Sequence, residues 1–228
     1  MTVLFLIFAA ILVWFSFKSL LGGISYLSFF KLELAKPLSQ WTPMVTVICP
    51  CRGVDEGMEE NLLAITRQDY PLSEVVFVVD DKNDVAVEII NTVISRREAE
   101  TERESIGLDR SSAPLPLCGS SLVVASKATG SAQKVENLRE AVGYADASSE
   151  VFVFVDSDTR VSPTWLSYLI APLEDDRVGA ATGYRWFISE TRSFASEMRS
   201  VWNASIASAL GPNTKSNFCW GGSTAIRR

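Results

Sequence analysis

Asp156-Ser157-Asp158 places two carboxylates one residue apart, directly after the apolar run Val151-Phe152-Val153-Phe154-Val155. Five consecutive β-prone apolar residues read as a strand buried on both faces, as in a parallel sheet. In open α/β sheets, ligands bind beyond the carboxyl ends of the strands. The chain contains no histidine, so two acids at such an end suit an oxygen-only divalent cation carrying a phosphate. The same three residues also suit an Asx turn followed by a helix cap. The choice depends on what else converges there.

Two further runs end in polar residues, at Pro50-Cys51-Arg52-Gly53 and at Asp80-Asp81. Carboxylates gathered in one place are costly unless cations or hydrogen-bond donors compensate them. A cation bridging Asp158 to a diphosphate would do so, and Asp81 would accept from a base N–H or a ribose hydroxyl. The bland alternative for Asp81 is helix capping before Val85. Lys134 and Asn137 lie three apart after Gly130-Ser131. A lysine near a helix start runs against the dipole, and it suits a phosphate as a point charge; a solvated lysine is the competing reading. Trp220-Gly221-Gly222 offers an apolar face for a sugar ring beside backbone that a ligand can approach closely. A bulge with a core tryptophan has equal standing. Neither a P-loop nor a Gly-x-Gly-x-x-Gly after the first strand is present, which argues against a dinucleotide-dependent dehydrogenase.

The elements that must position these groups alternate. Strands are expected at Val45–Cys49, Val75–Val79, Leu122–Ala125, Val151–Val155, Val178–Thr182 and Cys219–Arg228. Helices are expected at Met58–Arg67 (stripe Met58, Leu62, Ile65), Asp84–Glu104 (stripe Val85, Ile89, Val93), Ala132–Tyr144, Pro163–Leu173 and Arg192–Leu210. Ser105–Ser120 reads as a loop. This alternation predicts an α/β fold with a mostly parallel sheet flanked by helices. The last helix carries Phe194, Met198, Val201, Trp202 and Ile206. That stripe would lie on a bilayer surface or, as the favoured reading, pack against the sheet.

With 228 residues the chain holds one sizeable domain. Its formal charge of −6 comes without a basic block, which excludes nucleic acid as an expected partner. Cys49 and Cys51, together with Cys118 and Cys219, match no zinc spacing and read as buried free thiols in a reducing compartment. The apolar stretch from Val3 to about Ile24 is long enough to cross a bilayer. No basic n-region or small-residue cleavage site supports a signal peptide, and no polar face supports a soluble core helix. Lys18, Lys31 and Lys36 follow the apolar core, so the positive-inside rule places the globular part in the cytoplasm. The expected organisation is an anchor over residues 1–30, a juxtamembrane linker over 31–43 and a catalytic domain over 44–228.

Taken in order, Pro50-Cys51-Arg52-Gly53, Asp80-Asp81, Lys134-x-x-Asn137-Leu138, Asp156-Ser157-Asp158 and Gly221-Gly222-x-x-Ala225-x-Arg227 resemble the family-2 type inverting glycosyltransferases. Arg52-Gly53-Val54-Asp55, Asp69-Tyr70-Pro71 and Asp81-x-x-Asp84 are most similar to ceramide glucosyltransferase and its bacterial relatives. The resemblance implies a Rossmann-like nucleotide-diphospho-sugar transferase fold, a UDP-sugar donor, and a lipid or glycan acceptor reached through a membrane anchor. It implies that Asp81 contacts uridine and that Pro50, Arg52, Gly53 and Lys134 line the nucleotide pocket. Asp156 and Asp158 would hold the diphosphate with Mg²⁺ or Mn²⁺, and Trp220, Gly221 and Gly222 would face sugar and acceptor. Such enzymes place their general base, in a Glu-Asp motif, and a Gln/Arg-x-x-Arg-Trp motif after the Gly-Gly strand. The expectation is therefore a domain incomplete at its C-terminus, with the base beyond Arg228; Tyr184-Arg185-Trp186 lies too early to replace it. Two other outcomes stay open: a binding fragment without transfer, and part of a processive polysaccharide synthase.

Overall fold

The computed structural model describes residues 1–107, 117–184, 193–207 and 217–228; side chains are described for these except residues 104–107, 117–118 and 206–207. Contacts group the chain into two units, one of Met1–Pro37 with Tyr184–Phe218 and the other of Leu38–Gly183 with Cys219–Arg228.

The larger unit is a six-stranded sheet in the order β3-β2-β1-β4-β6-β5. Its strands are β1 (Val45–Pro50), β2 (Leu72–Val79), β3 (Leu117–Val124), β4 (Val151–Val155), β5 (Ala180–Thr182) and β6 (Ser223–Arg227). β1 pairs in parallel with both β2 and β4, and β2 with β3, while β6 runs antiparallel to β4 and β5. The expected mostly parallel sheet is thus observed, with β6 the one reversed strand. The helices in this unit are α2 (Met58–Thr66), α3 (Ala86–Gly107), α4 (Gln133–Val142) and α5 (Trp165–Ile170), the last continued by a 3₁₀ turn.

Strand side chains alternate between faces, and this parity divides the core. Val45, Val47 and Cys49 of β1, Val75, Phe77 and Val79 of β2 and Val151, Val153 and Val155 of β4 pack with α2, α3 and α5. Ile48, Val76 and Val78, with the partly buried Phe152 and Phe154, pack with Leu138, Ala141 and Val142 of α4. Met58, Leu62 and Ile65 of α2 are buried as their spacing requires.

Several expectations shift. In α3 the buried stripe is Ala86, Ile90 and Val93, while Val85 is exposed. Asp84 fixes this phase, because its Oδ1 accepts the Ala86 N–H at 2.8 Å and starts the helix there. α3 continues to Gly107 and β3 starts at Leu117, so the loop expected over Ser105–Ser120 shrinks at both ends. β3 gains its early residues by pairing with β2 from Leu72 onward; tertiary pairing overrides the weak strand preference of Gly119, Ser120 and Ser121. α5 starts at Trp165, beyond Pro163, and gives way to a 3₁₀ turn at Ala171 with Pro172 in its first positions. β5 starts at Ala180, and β6 covers only Ser223–Arg227 of the expected Cys219–Arg228. Cys49 and Cys51 are buried free thiols, but Cys219 is exposed, against expectation, in the segment before β6; the Cys118 side chain lies outside the described residues.

In the smaller unit, α1 (Thr2–Leu34) is long and apolar enough to cross a membrane by length and composition. It runs past the expected anchor limit into the segment read as linker. The other helix, α6 (Phe194–Ala207), leaves Phe194, Met198, Val201 and Trp202 exposed. The Ile206 side chain and Arg185-Trp186 lie outside the described residues.

Candidate nucleotide-sugar site

A cavity of about 310 Å³ opens at the carboxyl ends of β1, β2 and β4, where the strand order changes direction. Pro50, Cys51, Arg52, Asp80, Gln133, Lys134, Asn137, Asp156, Ser157 and Asp158 line it. Strand parity accounts for three of them. Pro50, Asp80 and Asp156 each sit two residues beyond Ile48, Val78 and Phe154, all on the α4 face. Their side chains face the start of α4, whose Gln133, Lys134 and Asn137 complete that wall, and Lys134 reaches Asp156.

Electrostatics inside the cavity are dominated by two ion pairs. Lys134 Nζ lies 2.6 Å from Asp156 Oδ1, and Lys127 Nζ lies 2.9 Å from Asp80 Oδ2. The Lys127 hydrogen bond, aided by the charges of Lys127 and Arg52, holds the Asp80 carboxyl below the usual carboxylate range against the opposing effect of burial. Beneath them Cys49 and Cys51 approach at 3.9 Å between sulfurs. The Cys51 hydrogen bond and burial push the Cys49 thiol well above its ordinary value, so neither chemistry nor metal ligation by thiolate is favoured there.

Supporting contacts fix the loops. Asp84 accepts the Gly53 N–H on both carboxylate oxygens, at 2.9 and 3.2 Å, which ties the Arg52-Gly53 turn to the start of α3. Gly53 has φ +65, a conformation that side-chain-bearing residues rarely adopt. Gln133 donates to Asn137 Oδ1 and to the Ser126 carbonyl, and accepts from the Ala128 N–H, so it braces the loop carrying Lys127. Buried Asn61 of α2 donates to the Ser157 carbonyl at 3.4 Å and accepts from Arg160 Nε at 3.2 Å, holding the Asp-Ser-Asp turn. On the other side the Asp156 N–H donates to the Gly222 carbonyl at 3.2 Å. The Trp220 N–H donates to Thr182 Oγ1 at 2.9 Å. The Trp220-Gly221-Gly222 turn therefore abuts the Asp156 tip.

Of the sequence-selected residues, Pro50, Arg52, Lys134, Asp156 and Asp158 share the cavity. Gly53, Trp220, Gly221 and Gly222 do not line it; Gly53 follows Arg52 in the chain, and the Gly222 carbonyl accepts the Asp156 N–H. Asp81 is exposed, with its Oδ1 taken by the Asn83 N–H at 2.9 Å, and the acid lining the cavity on that strand end is Asp80. Sequence reasoning missed Lys127, Gln133 and Asn61. A polar Asn61 on the apolar stripe of α2 was a usable signal; nothing local marked Lys127.

As a cation site, the cavity supplies Asp156 and Asp158, and no cluster of three or more His, Cys, Asp or Glu suited to a metal exists among the described residues. Two carboxylates fit a hard cation whose other positions are filled by phosphate oxygens and water.

The profile of Glycosyl transferase family 21 matches residues 6–101 and 109–228. The chain belongs to glycosyl transferase family 21. This family-21 chain is also similar to the hyaluronan synthase of Streptococcus pyogenes, 28% identical over 143 residues, covering 61% of the chain and 29% of the synthase; serotype M1 gives the same values. The chain thus spans under a third of the length of these curated relatives. A mannosyltransferase from Pyrobaculum calidifontis, solved with GDP-Man and Mn²⁺, superposes with a TM-score of 0.52 at 24% identity, over 96% of this chain and 56% of that one. That likeness establishes the fold.

Proposed function

We propose that this family-21 chain binds a nucleotide-diphospho-sugar, a UDP-hexose, and serves its transfer to a lipid or glycan acceptor with inversion at the anomeric carbon. The observation that carries the reading is the convergence of Asp156, Asp158, Lys134 and Arg52 in one cavity at the switch point of the sheet. Acids suited to a cation stand there beside bases suited to a diphosphate. Asp156 and Asp158 would hold Mg²⁺ or Mn²⁺, which when bound would neutralise the departing diphosphate as a Lewis acid. Lys134 and Arg52 would bind the phosphates, and the Arg52-Gly53 turn would shape the pocket wall. Asp81, at the rim, would meet the uridine. The Trp220-Gly221-Gly222 turn would present the sugar to the acceptor. The resemblance of the Arg52–Asp55 and Asp81–Asp84 segments to ceramide glucosyltransferase supports a lipid as that acceptor.

Membrane attachment belongs to the same reading. α1 would anchor the chain with the α/β domain on the cytoplasmic side, where Lys18, Lys31 and Lys36 follow the apolar core. The exposed Phe194, Met198, Val201 and Trp202 of α6 would lie on the bilayer surface, near a lipid acceptor. The similarity to hyaluronan synthase favours a second reading, in which the chain is part of a polymer-forming synthase.

Calorimetric titration with UDP in Mn²⁺ and in EDTA, followed by incubation with labelled UDP-glucose and lipid extract, tests the proposal. Cation-dependent UDP binding that is lost in Asp156→Asn is expected. Absence of UDP binding refutes it. Binding without transfer restricts the chain to the donor half, and a product longer than one sugar selects the synthase reading.

A further inference from the structure

The Lys134–Asp156 pair carries an inference about how the donor site fills, which rests on the donor reading above. The acid expected to hold a cation already faces one: the Lys134 ammonium sits 2.6 Å from Asp156 Oδ1. The two ends of the pair differ in freedom. Asp156 belongs to a strand tip whose backbone is fixed by the Gly222 carbonyl. Lys134 projects from the second residue of α4 on a four-carbon stem, with its side chain 58% exposed. An exposed ammonium on a flexible stem changes partners at little cost. A bare divalent cation arriving here would find Asp156 already paired and the positive charge of Lys134 beside it.

The geometry points to Lys134 as an exchangeable counter-ion. Before a donor arrives it neutralises Asp156, so Asp156 and Asp158 take up a divalent cation together with a nucleotide diphosphate rather than before it. As the diphosphate enters, Lys134 moves from the Asp156 carboxylate to a phosphate oxygen, and Asp156 is released to the cation. The site is thereby biased against holding metal without donor, since its own lysine opposes that state and favours the filled one.

The exchange predicts effects of opposite sign from one substitution. In Lys134→Met and Lys134→Gln, the affinity for Mn²⁺ alone rises three- to tenfold, because a positive charge next to the acids is gone; this range corresponds to about 0.7–1.4 kcal/mol. In the presence of Mn²⁺ the affinity for UDP falls about tenfold or more. Lys134→Arg, which keeps the charge, restores weak binding of Mn²⁺ alone. The measurement is electron paramagnetic titration of free Mn²⁺ against the full chain in detergent, with and without UDP, alongside melting temperatures that confirm folding of each variant. A lysine with only a structural role would move both affinities in the same direction or neither. Unchanged affinity for Mn²⁺ alone in both neutral variants, with UDP binding intact in the parent chain, overturns the exchange and leaves the donor reading standing. Equal affinity of the parent for Mn²⁺ with and without bound UDP also overturns it. No UDP binding by the parent under any condition overturns the donor reading, and the exchange falls with it.

Discussion

Asp84 joins the fold to the site, and its removal gives a prediction with a magnitude. Its carboxylate accepts the Ala86 N–H at 2.8 Å and the Gly53 N–H at 2.9 and 3.2 Å. The first contact caps α3, which is worth about 1 kcal/mol against alanine. The second is a hydrogen bond to a charged group, about 1.5–3 kcal/mol when both partners are ordered and desolvated, and less at this half-buried position. One carboxylate serves both, so the two contributions do not simply add. Asp84→Ala should therefore cost about 2 kcal/mol, or about 4–8 °C in melting temperature for a domain of this size. Asp84→Asn keeps an acceptor oxygen and should lose less than half of that. Because Gly53 is released in the alanine variant, the Arg52 turn loosens and UDP affinity should fall further than stability alone explains. Thermal unfolding of both variants in detergent, with and without UDP, reads each quantity. An alanine variant within about 0.5 kcal/mol of the parent, in the range of ordinary surface substitutions, would refute the claim that Asp84 ties turn to helix.

Two further outcomes follow from the titratable groups. Lys127 holds the Asp80 carboxyl below its ordinary value, so the folded state has the lower pKa and this contribution is full above about pH 4, the unfolded value. It fades as pH falls through the folded value; Lys127→Met should shift acid unfolding, followed by intrinsic fluorescence, to higher pH, and an unmoved midpoint would contradict the pairing. Native alkylation with iodoacetamide and peptide mapping should label the exposed Cys219 and spare Cys49 and Cys51, since burial and mutual hydrogen bonding raise the Cys49 thiol; rapid labelling of Cys49 would show that the strand end is open to solvent.

Legibility in the sequence followed the length scale of the interaction. Strands buried on both faces, β1, β2 and β4, announced themselves as apolar runs, and their ends named most of the cavity. Elements defined by a partner far along the chain did not. Gly119, Ser120 and Ser121 look like loop, yet they become strand because β2 offers them a parallel edge. Val85 looks like the first core position of α3, yet Asp84 starts the helix so that Ala86 takes that place. Lys127 carries no local mark at all, because what makes it part of the site is an acid 47 residues earlier.

The choice between Asp80 and Asp81 shows that some of this was recoverable from parity alone. Ile48, Val76, Val78, Phe152 and Phe154 share the α4 face of the sheet. Each is an even-numbered residue, and the parallel registers Val47 to Val75 and Val47 to Val153 preserve that parity across β1, β2 and β4. Continued to the last residue of β1 and just past β2 and β4, the same alternation sends Pro50, Asp80 and Asp156 toward α4 and turns Cys51 and Asp81 away from it. Cys51 nevertheless reaches the cavity wall, and Asp81 is exposed and absent from its lining. Beyond the last paired residue the ladder no longer constrains the backbone, and local turns decide. The Asn83 N–H on Asp81 Oδ1 is such a turn. Asp80 therefore lines the wall because of the sheet, and Asp81 is held exposed by the turn. This division leaves the inner acid to Lys127 and the outer one to whatever approaches from solvent.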